Sequence, residues 1–363
     1  MACRPFRWPA PTQGNQGNVV TDSIVRWPAN VLFACHAGDG VGLGHLSRSL
    51  VAAEALRSRF GAGVRLLVQG NQINRSDLDT FPHRFITKDQ DLVKVILDEY
   101  AGQRVDIIVL DLHLNCLPTP DSMQEMLIAL QSSGCRLIAI DGLLQYRAML
   151  DLIFIPSFHH VAPADDRNAA PLVFGWDCFL LNLNETPREW KPGQNVLCLT
   201  GGSDVTGLGK IWPAMLDRTL PADTELHWVT GPFAQSPALA QAPRIHFHNH
   251  LAPSSLGPLM QASNYAVTVF GVSFFELLYL GIPTVVFSPY GGKDDRELVA
   301  IAKTGAALVA RDEREATDHL SALMHDDGLA SQLSLNARAL LNIPGSRRLC
   351  AEIVSLMPPV PCL

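Results

Sequence analysis

The run VDIIVLDL, residues 105–112, constrains the fold more than any other stretch of the chain. Its apolar residues are nearly continuous rather than alternating, so a strand here has both of its faces covered. Parallel strands need crossover connections, and crossover helices are what cover a sheet on both sides. Similar runs recur at NVLFACHAG (30–38), GVRLLVQG (63–70), CRLIAIDG (135–142) and DLIFIPSF (151–158). Between them lie LSRSLVAAEALRSRF, DQDLVKVILDEYAG and DSMQEMLIALQSSG, with apolar residues at helical spacing, such as Leu92, Val95, Ile96 and Tyr100 on one face. Strand and helix in alternation predict a doubly wound α/β domain.

The rhythm breaks at 181–195, LNLNETPREWKPGQN, which is polar and carries two prolines, as an interdomain linker does. It then starts again. VLCLTGGSD, TELHWVTGP, RIHFHNHLA, YAVTVFG, IPTVVFSP and AALVA read as strands; SSLGPLMQASN, SFFELLYLG and ELVAIAKTG read as helices. The 363 residues suffice for two cores. The expected organisation is a flexible N-terminal extension (1–28), a first Rossmann-like domain (29–180), the linker (181–195), a second Rossmann-like domain (196–345) and a C-terminal tail (346–363). Ligands of open α/β sheets bind beyond the carboxyl ends of the strands, so the strand-end loops are the informative positions.

Composition narrows the partners. The formal net charge is −7 and no Lys/Arg run exceeds two residues, which argues against a nucleic-acid partner. The eight cysteines form no CxxC pair, and several sit in apolar strand-like runs, so they read as buried free thiols of a reducing cytoplasm. No apolar run reaches transmembrane length, and the N-terminal segment lacks the apolar core of a secretory signal. A peripheral membrane contact through SFFELLYL or the apolar helix faces is left open.

Four strand-end segments carry candidate chemistry. In GDGVGLGHLSRS (38–49) the glycines do not fit a dinucleotide fingerprint, and no GKS/T follows for a P-loop. Gly42 and Gly44 make room for an approaching ligand. His45 and Arg48 follow in the first turns of a helix, with His45 a candidate general base or a mere packing residue. Asp111 and Asp141 end strands of the same domain; each is placed to assist His45 or orient a substrate, or else to cap a helix. In the second domain, Gly271, Val272 and Ser273 open a helix whose amides would hold a diphosphate, and Glu276, expected in its first turn, suits two adjacent ribose hydroxyls or ordinary capping. Gly201, Gly202 and Ser203 of LTGGSD form a phosphate- or sugar-facing loop or a tight turn. HFHNHL (246–251) carries three alternating histidines; strand spacing does not converge them, so no metal is expected, and His248 and Leu251 are assigned to the surroundings of a base pocket.

Four blocks, in order, carry a family resemblance. GLGHLSRSLVAAEAL resembles a GxGHxxR…AEAL motif, FGWDCFLL a G-x-x-Y-x-L-L segment, LTGGSD a GGSD loop, and VFGVSFFELLYLGIP a G-x-S-x-x-E-x-x-x-x-G-x-P block. Over residues 30–345 or so the chain resembles the GT-B superfold of nucleotide-sugar enzymes. Within it, the chain is most similar to the branch of PseG, the UDP-sugar hydrolase of pseudaminic acid biosynthesis, with the SpsG-like and MurG-type glycosyltransferases. The resemblance implies two Rossmann-like domains facing each other across a cleft. His45, with Asp111, would be catalytic. Gly201, Gly202, Ser203, His248, Leu251, Gly271, Val272, Ser273 and Glu276 would bind the nucleotide. Gly42, Gly44, Arg48, Asp141, Asp294 and Asp295 would lie on the sugar and acceptor side. The implied donor is a UDP- or CMP-linked sugar, used without cofactor or metal by a cytoplasmic glycosyltransferase of bacterial surface-glycan or glycoconjugate synthesis, its acceptor unknown. A hydrolase and a non-catalytic nucleotide-sugar-binding protein are the alternatives. Departures fall on the sugar side: DGLLQYRAMLD keeps Arg147 but not the hydrolase's Asp-Asp and Arg-x-His, IPSF (155–158) replaces its Asn-Gln-Asn, and KDDREL (293–298) replaces the Gln-rich MurG-type motif.

Overall fold

The computed structural model describes residues 29–38, 40–158, 169–239, 242–253 and 255–357. The expected extension at 1–28 and residues 358–363 lie outside them.

The first domain is a seven-stranded sheet. Its strands are β1 (Asn30–Ala37), β2 (Gly63–Gly70), β3 (His83–Ile86), β4 (Ile107–Asp111), β5 (Arg136–Ile140), β6 (Leu152–Ile155) and β7 (Leu172–Phe174), in the order β3-β2-β1-β4-β5-β6-β7. Every pairing is parallel. Helices α1 (Gly44–Phe60), α2 (Leu92–Gly102) and α3 (Pro120–Ser132) make the crossovers. As the unbroken apolar run predicts, β4 is buried along its whole length and divides two cores. One holds Val109, Phe33 and α1; the other holds Leu110, Ala34, α2 and α3.

The second domain is a six-stranded parallel sheet of β8 (Asn195–Leu199), β9 (Glu225–Thr230), β10 (His246–Leu251), β11 (Tyr265–Val269), β12 (Thr284–Phe287) and β13 (Leu308–Val309), in the order β10-β9-β8-β11-β12-β13. It carries α4 (Trp212–Thr219), α5 (Gly257–Ala262), α6 (Val272–Leu280), α7 (Asp295–Thr304), α8 (Glu313–Met324) and α9 (Asp327–Leu340). Local chemistry sets their limits. Asp91, Thr119, Asp312 and Asp326 cap α2, α3, α8 and α9 through side-chain oxygens. Gly281 ends α6 at φ 74°, a left-handed position that an L side chain adopts at a cost.

Both sheets reverse direction at one place, between β1 and β4 in the first and between β8 and β11 in the second. A doubly wound sheet opens a crevice at such a switch point, because the flanking connections leave to opposite faces.

The segment 346–363, expected as a tail, is instead a helix for most of its described length: α10 (Gly345–Ser355). Its Leu349, Cys350 and Ile353 belong to the first-domain core with α1. Gly345 N–H donates to the Phe179 carbonyl at 2.8 Å. An apolar face of this kind is buried rather than left in water, and α10 finds its partner a whole domain back along the chain. The linker has no regular structure but is not loose: Trp190 Nε1–H donates to the Asn264 carbonyl at 2.7 Å and Asn264 Nδ2–H to the Lys191 carbonyl at 3.0 Å.

The described cysteines are all free; Cys35, Cys135, Cys178, Cys198 and Cys350 are buried, and Cys116 is half-exposed. No described helix is long and apolar enough to cross a membrane.

Candidate active site

At the first switch point, β1 runs into a closed glycine turn and then into α1. Gly38 and Gly42 exchange backbone hydrogen bonds at 3.0 and 2.7 Å, with φ of 121° and 79°. Only glycine takes such a turn without strain. Those amides are spent on closing the turn, which shapes the crevice.

The helix beyond it places His45 and Arg48 one turn apart, over the end of β4. Asp111 closes that strand and is fully buried. His45 Nδ1–H donates to Asp111 Oδ1 at 2.6 Å. Arg48 grips the same carboxylate with both ends of its fork, Nη2–H to Oδ1 at 2.6 Å and Nε–H to Oδ2 at 2.7 Å, and the Ser49 hydroxyl adds a bond to Oδ2 at 3.3 Å. Burial alone would push the carboxyl pKa up. The Arg48 charge and the hydrogen bonds from His45 and Arg48 outweigh it and hold Asp111 below the usual carboxylate range. An ionised Asp111 fixes the tautomer. The proton of neutral His45 sits on Nδ1, leaving Nε2 as the basic nitrogen.

Arg48 also donates from Nη1 to Asp141 Oδ2 at 2.6 Å. Asp141 has φ 59°, and Leu143 beside it φ 61°. Left-handed backbone at two non-glycine residues is strain, and it sits beside the site whose carboxylate it aims. Asp111 therefore acts here as partner of His45 and Arg48, and neither acid caps a helix.

Sequence reasoning passed over a second layer. His36, the one imidazole within the β1 run, is buried and accepts the His113 N–H at Nδ1 (2.9 Å), so its Nε2–H donates to Gln69 Oε1 at 3.1 Å. Gln69 Nε2 in turn reaches the Gln90 carbonyl at 2.9 Å. Burial lowers the His36 pKa to about 4, which keeps this bracket neutral. The His113 ring stands edge-on to His45, with centroids 5.6 Å apart. Its pKa is lowered by burial, by His45 and by Lys293, which lies on the loop after β12. Lys293 belongs to the second domain, so the carboxyl-end loops of the two sheets face each other. A polar residue interrupting an apolar strand run is the signal that could have singled out His36.

The second switch point is built differently. LTGGSD leaves β8 with Gly201 at φ 85° and Asp204 at φ 42°. The Asp204 carboxylate closes its own loop by accepting from Leu208 N–H and Gly209 N–H, both at 2.8 Å. Gly202 and Ser203 stay exposed. A 260 Å³ cavity beside them is lined by Ser203, Asp204, Lys210, Phe233 and Gln235 among others. Gly271 and Val272 open α6 at the end of β11, with no side-chain cap on the helix. Glu276 is not in the first turn, because α6 begins at Val272; it comes one turn later and is only 6% exposed. Its Oε1 accepts from the Asn182 N–H of the linker at 3.2 Å, and Ser273 bonds the same carboxyl. Burial raises its pKa to about 7.

Three expected residues do not join either cluster. His248 sits in mid-strand and its Nε2 pairs with Glu225, at the amino end of β9, at 2.6 Å. Its ring stacks on His227 at 4.8 Å, making an exposed imidazole ladder on edge strand β10 rather than a pocket wall. Asp294 takes the Ser288 hydroxyl and so braces its own loop, while Asp295 begins α7. Leu251 does lie at the carboxyl end of β10, 68% exposed. No group of three or more His, Cys, Asp or Glu converges as a metal site among the described residues.

Solved structures match this arrangement along almost its whole length. UGT2 of Phytolacca americana, solved with UDP-2fluoro-glucose and pterostilbene, superposes with a TM-score of 0.60 at 13% identity, over 90% of this chain and 99% of that one. The glycosyltransferase SnogD of Streptomyces nogalater gives 0.59 at 15% identity, over 91% and 99%. A putative UDP-N-acetylglucosamine 2-epimerase from Listeria monocytogenes gives 0.58 at 14%, over 91% and 96%. The fold is GT-B. Identities this low establish the GT-B architecture and nothing finer. No protein-family model matches the chain, and no curated protein matches it.

Proposed function

We propose that this GT-B protein is a glycosyltransferase that moves a sugar from a nucleotide donor to an acceptor hydroxyl. The observation that carries the reading is the His45–Asp111–Arg48 constellation at the first switch point. His45 Nε2 takes the proton of the acceptor hydroxyl as that oxygen bonds to the anomeric carbon of the donor. The bond from anomeric carbon to phosphate oxygen breaks, and its electron pair leaves with the nucleoside diphosphate. Asp111 holds the imidazole in the right tautomer and stabilises the imidazolium that forms. Arg48 keeps Asp111 ionised and in place.

The nucleotide belongs at the second switch point. There the exposed amides of Gly202 and Ser203 and the uncapped start of α6 at Gly271–Ser273 are suited to a diphosphate, with no metal step in this reading. The solved neighbours support a nucleotide-sugar ligand: UGT2 is complexed with UDP-2fluoro-glucose, the rhamnosyltransferase SpnG with thymidine diphosphate and MnaA with UDP. Glu276, held by the Asn182 N–H of the linker and by Ser273, would offer its remaining acceptor sites to a ribose. A cytoplasmic place in glycoconjugate synthesis goes with this reading.

The test is nucleotide release from a panel of UDP-, dTDP-, GDP- and CMP-sugars, with and without acceptors. Release that needs an acceptor, and that falls by roughly a thousandfold in His45→Ala while UDP still binds, is expected. Release into water alone, equally dependent on His45, makes the protein a hydrolase. Binding without release in any condition makes it a nucleotide-sugar-binding protein.

A further inference from the structure

Two imidazoles meet at the first switch point, and they offer opposite chemistry. His113 lies two residues beyond Asp111, and its backbone is still extended. Side chains of an extended chain alternate between faces. Leu110 and Leu112 turn to the core of α2 and α3, while Ile107 and Val109 turn to the core of α1. Asp111 and His113 continue that second side, which brings the His113 ring edge-on to His45, with centroids 5.6 Å apart and planes at 81°. The backbone is held in place there, because the His113 N–H donates to buried His36, which Gln69 fixes in turn.

The hydrogen bonds assign the protons. At His45, ionised Asp111 takes the Nδ1–H at 2.6 Å, and Nε2 is left as an acceptor. At His113 the order is reversed. Its Nδ1 accepts the Asn115 N–H of its own loop at 3.3 Å, and a backbone N–H can only donate. A neutral imidazole carries one proton, so that of His113 sits on Nε2. Burial, His45 and Lys293 all oppose a second proton on this ring.

The nitrogens of an imidazole point away from each other. With Nδ1 turned to the loop, the His113 Nε2–H is directed away from it, and no acceptor among the described residues takes it. Both rings are half-buried at the crevice. A basic nitrogen and a donor N–H therefore stand on neighbouring rings. A lone hydroxyl bound at His45 would use the first and leave the second without a partner, which costs free energy once water is displaced. A hydroxyl with another oxygen on the adjacent carbon satisfies both. Hydrogen bonds of about 2.7–3.2 Å reach both oxygens of such a unit from rings this close.

Resting on the glycosyl-transfer reading, we infer that His113 is an acceptor-binding residue and that the acceptor is a 1,2-diol, one hydroxyl attacking under His45 while its neighbour accepts the Nε2–H of His113.

Binding to the protein in the presence of UDP tests this without turnover. The probes are trans-cyclohexane-1,2-diol and cyclohexanol, which differ by the second hydroxyl. The readout is the NMR signals of the histidine rings in histidine-labelled protein, assigned by their loss in His45→Ala and His113→Phe. The diol is expected to shift the signals of both rings and to bind up to about tenfold more tightly than cyclohexanol, the worth of one hydrogen bond. His113→Phe, folded by its thermal unfolding transition, keeps a ring but no donor and is expected to bind the two probes equally. His113→Gln restores a side-chain N–H and with it part of the preference. A His113 that only supports its loop would weaken both probes alike and keep their ratio. A preference that survives in His113→Phe therefore overturns the inference, as does a diol bound no better than cyclohexanol or one that shifts neither ring. Failure of the transfer reading registers elsewhere, in nucleotide release that needs no acceptor or no His45, so the two failures are distinguishable.

Discussion

The two switch points share a topology and oppose each other in chemistry. Between β1 and β4 the crevice is floored by ionised groups already locked together, with Asp111 at 0% and Arg48 at 13% side-chain exposure. Between β8 and β11 the loops present amides and open space; a methyl group built on Gly202 or on Gly271 meets nothing within 4 Å. Open glycines and an uncapped helix start occur at both switch points; the buried ionic lock of Arg48 and Asp111 is what sets the first apart. A catalytic group must be oriented before the substrate arrives, whereas a binding loop gains affinity by leaving its polar groups to the ligand. In the proposed transfer reaction this difference would divide the labour, with chemistry on the first domain and grip on the second.

The largest effect expected is from Asp111→Asn. It leaves Arg48 buried beside a neutral amide and costs about 3–5 kcal/mol of stability, as breaking one side of a buried pair does. It also removes the anion that sets the His45 tautomer, so the maximal rate falls by about 10⁴-fold. Denaturant titration and turnover on the same preparation separate the two losses. A fully active, fully stable variant would erase the contrast between the switch points.

Gly271→Ala and Gly202→Ala test the other side. Neither position requires a positive φ and neither has a neighbour to strike, so unfolding transitions stay within a few tenths of a kcal/mol. A phosphate brought against those amides would meet the new methyl group, and the affinity for UDP drops roughly tenfold or more by calorimetry. Unchanged UDP affinity in both variants moves the nucleotide away from the second switch point.

The effect confined to one pH range comes from Glu276, the residue that joins the second crevice to the linker. Its folded pKa of about 7 lies above the ordinary 4.5, so the folded state binds the proton more tightly than the unfolded chain does. Its contribution is fully present below pH 4.5 and is lost as the pH rises through 7. The loss is on the order of 3 kcal/mol by the cost of a proton-affinity difference of this size. Glu276→Gln should flatten the decline between pH 5 and pH 8 in a series of denaturant midpoints. An identical pH profile for both proteins would show that the carboxyl is not held in this environment.

Architecture was legible in the sequence because buried parallel strands announce themselves. VDIIVLDL and its counterparts read directly as strands, and the polar, proline-bearing break at 181–195 marked the linker. Two strands of the first sheet, β3 and β7, were not readable. They are short, they lie at the two edges, and residues such as His83, Arg84 and Phe174 are exposed, so the apolar signal is missing. The role of α10 was hidden for another reason. Its amphipathic pattern says that a face will be buried but not against which domain. At the site, His45, Arg48, Asp111 and Asp141 could be picked as strand-end or helix-start residues, although their spacing of 3, 63 and 30 residues gives no sign that one guanidinium binds both acids. The His36–Gln69–His113 bracket was invisible because its parts come from three strand ends that only the sheet order brings together. HFHNHL is conspicuous in the sequence, yet nothing in it shows that His248 and His250 will stack on His227 of the neighbouring strand β9 and that His248 will pair with Glu225.

The return of α10 to the first domain has a consequence for how this protein is made. The core around α1 lacks Leu349, Cys350 and Ile353 until those residues have left the ribosome, after the whole second domain has been synthesised. Translation delivers sequence from the amino end at roughly 5–20 residues per second, so the domain that starts first waits some ten seconds or more for its closing piece. During that interval its apolar seam beside α1 is open to water and to other nascent chains. Maturation of the two halves is thus inverted relative to their order in the gene, and the first domain is the last to be sealed.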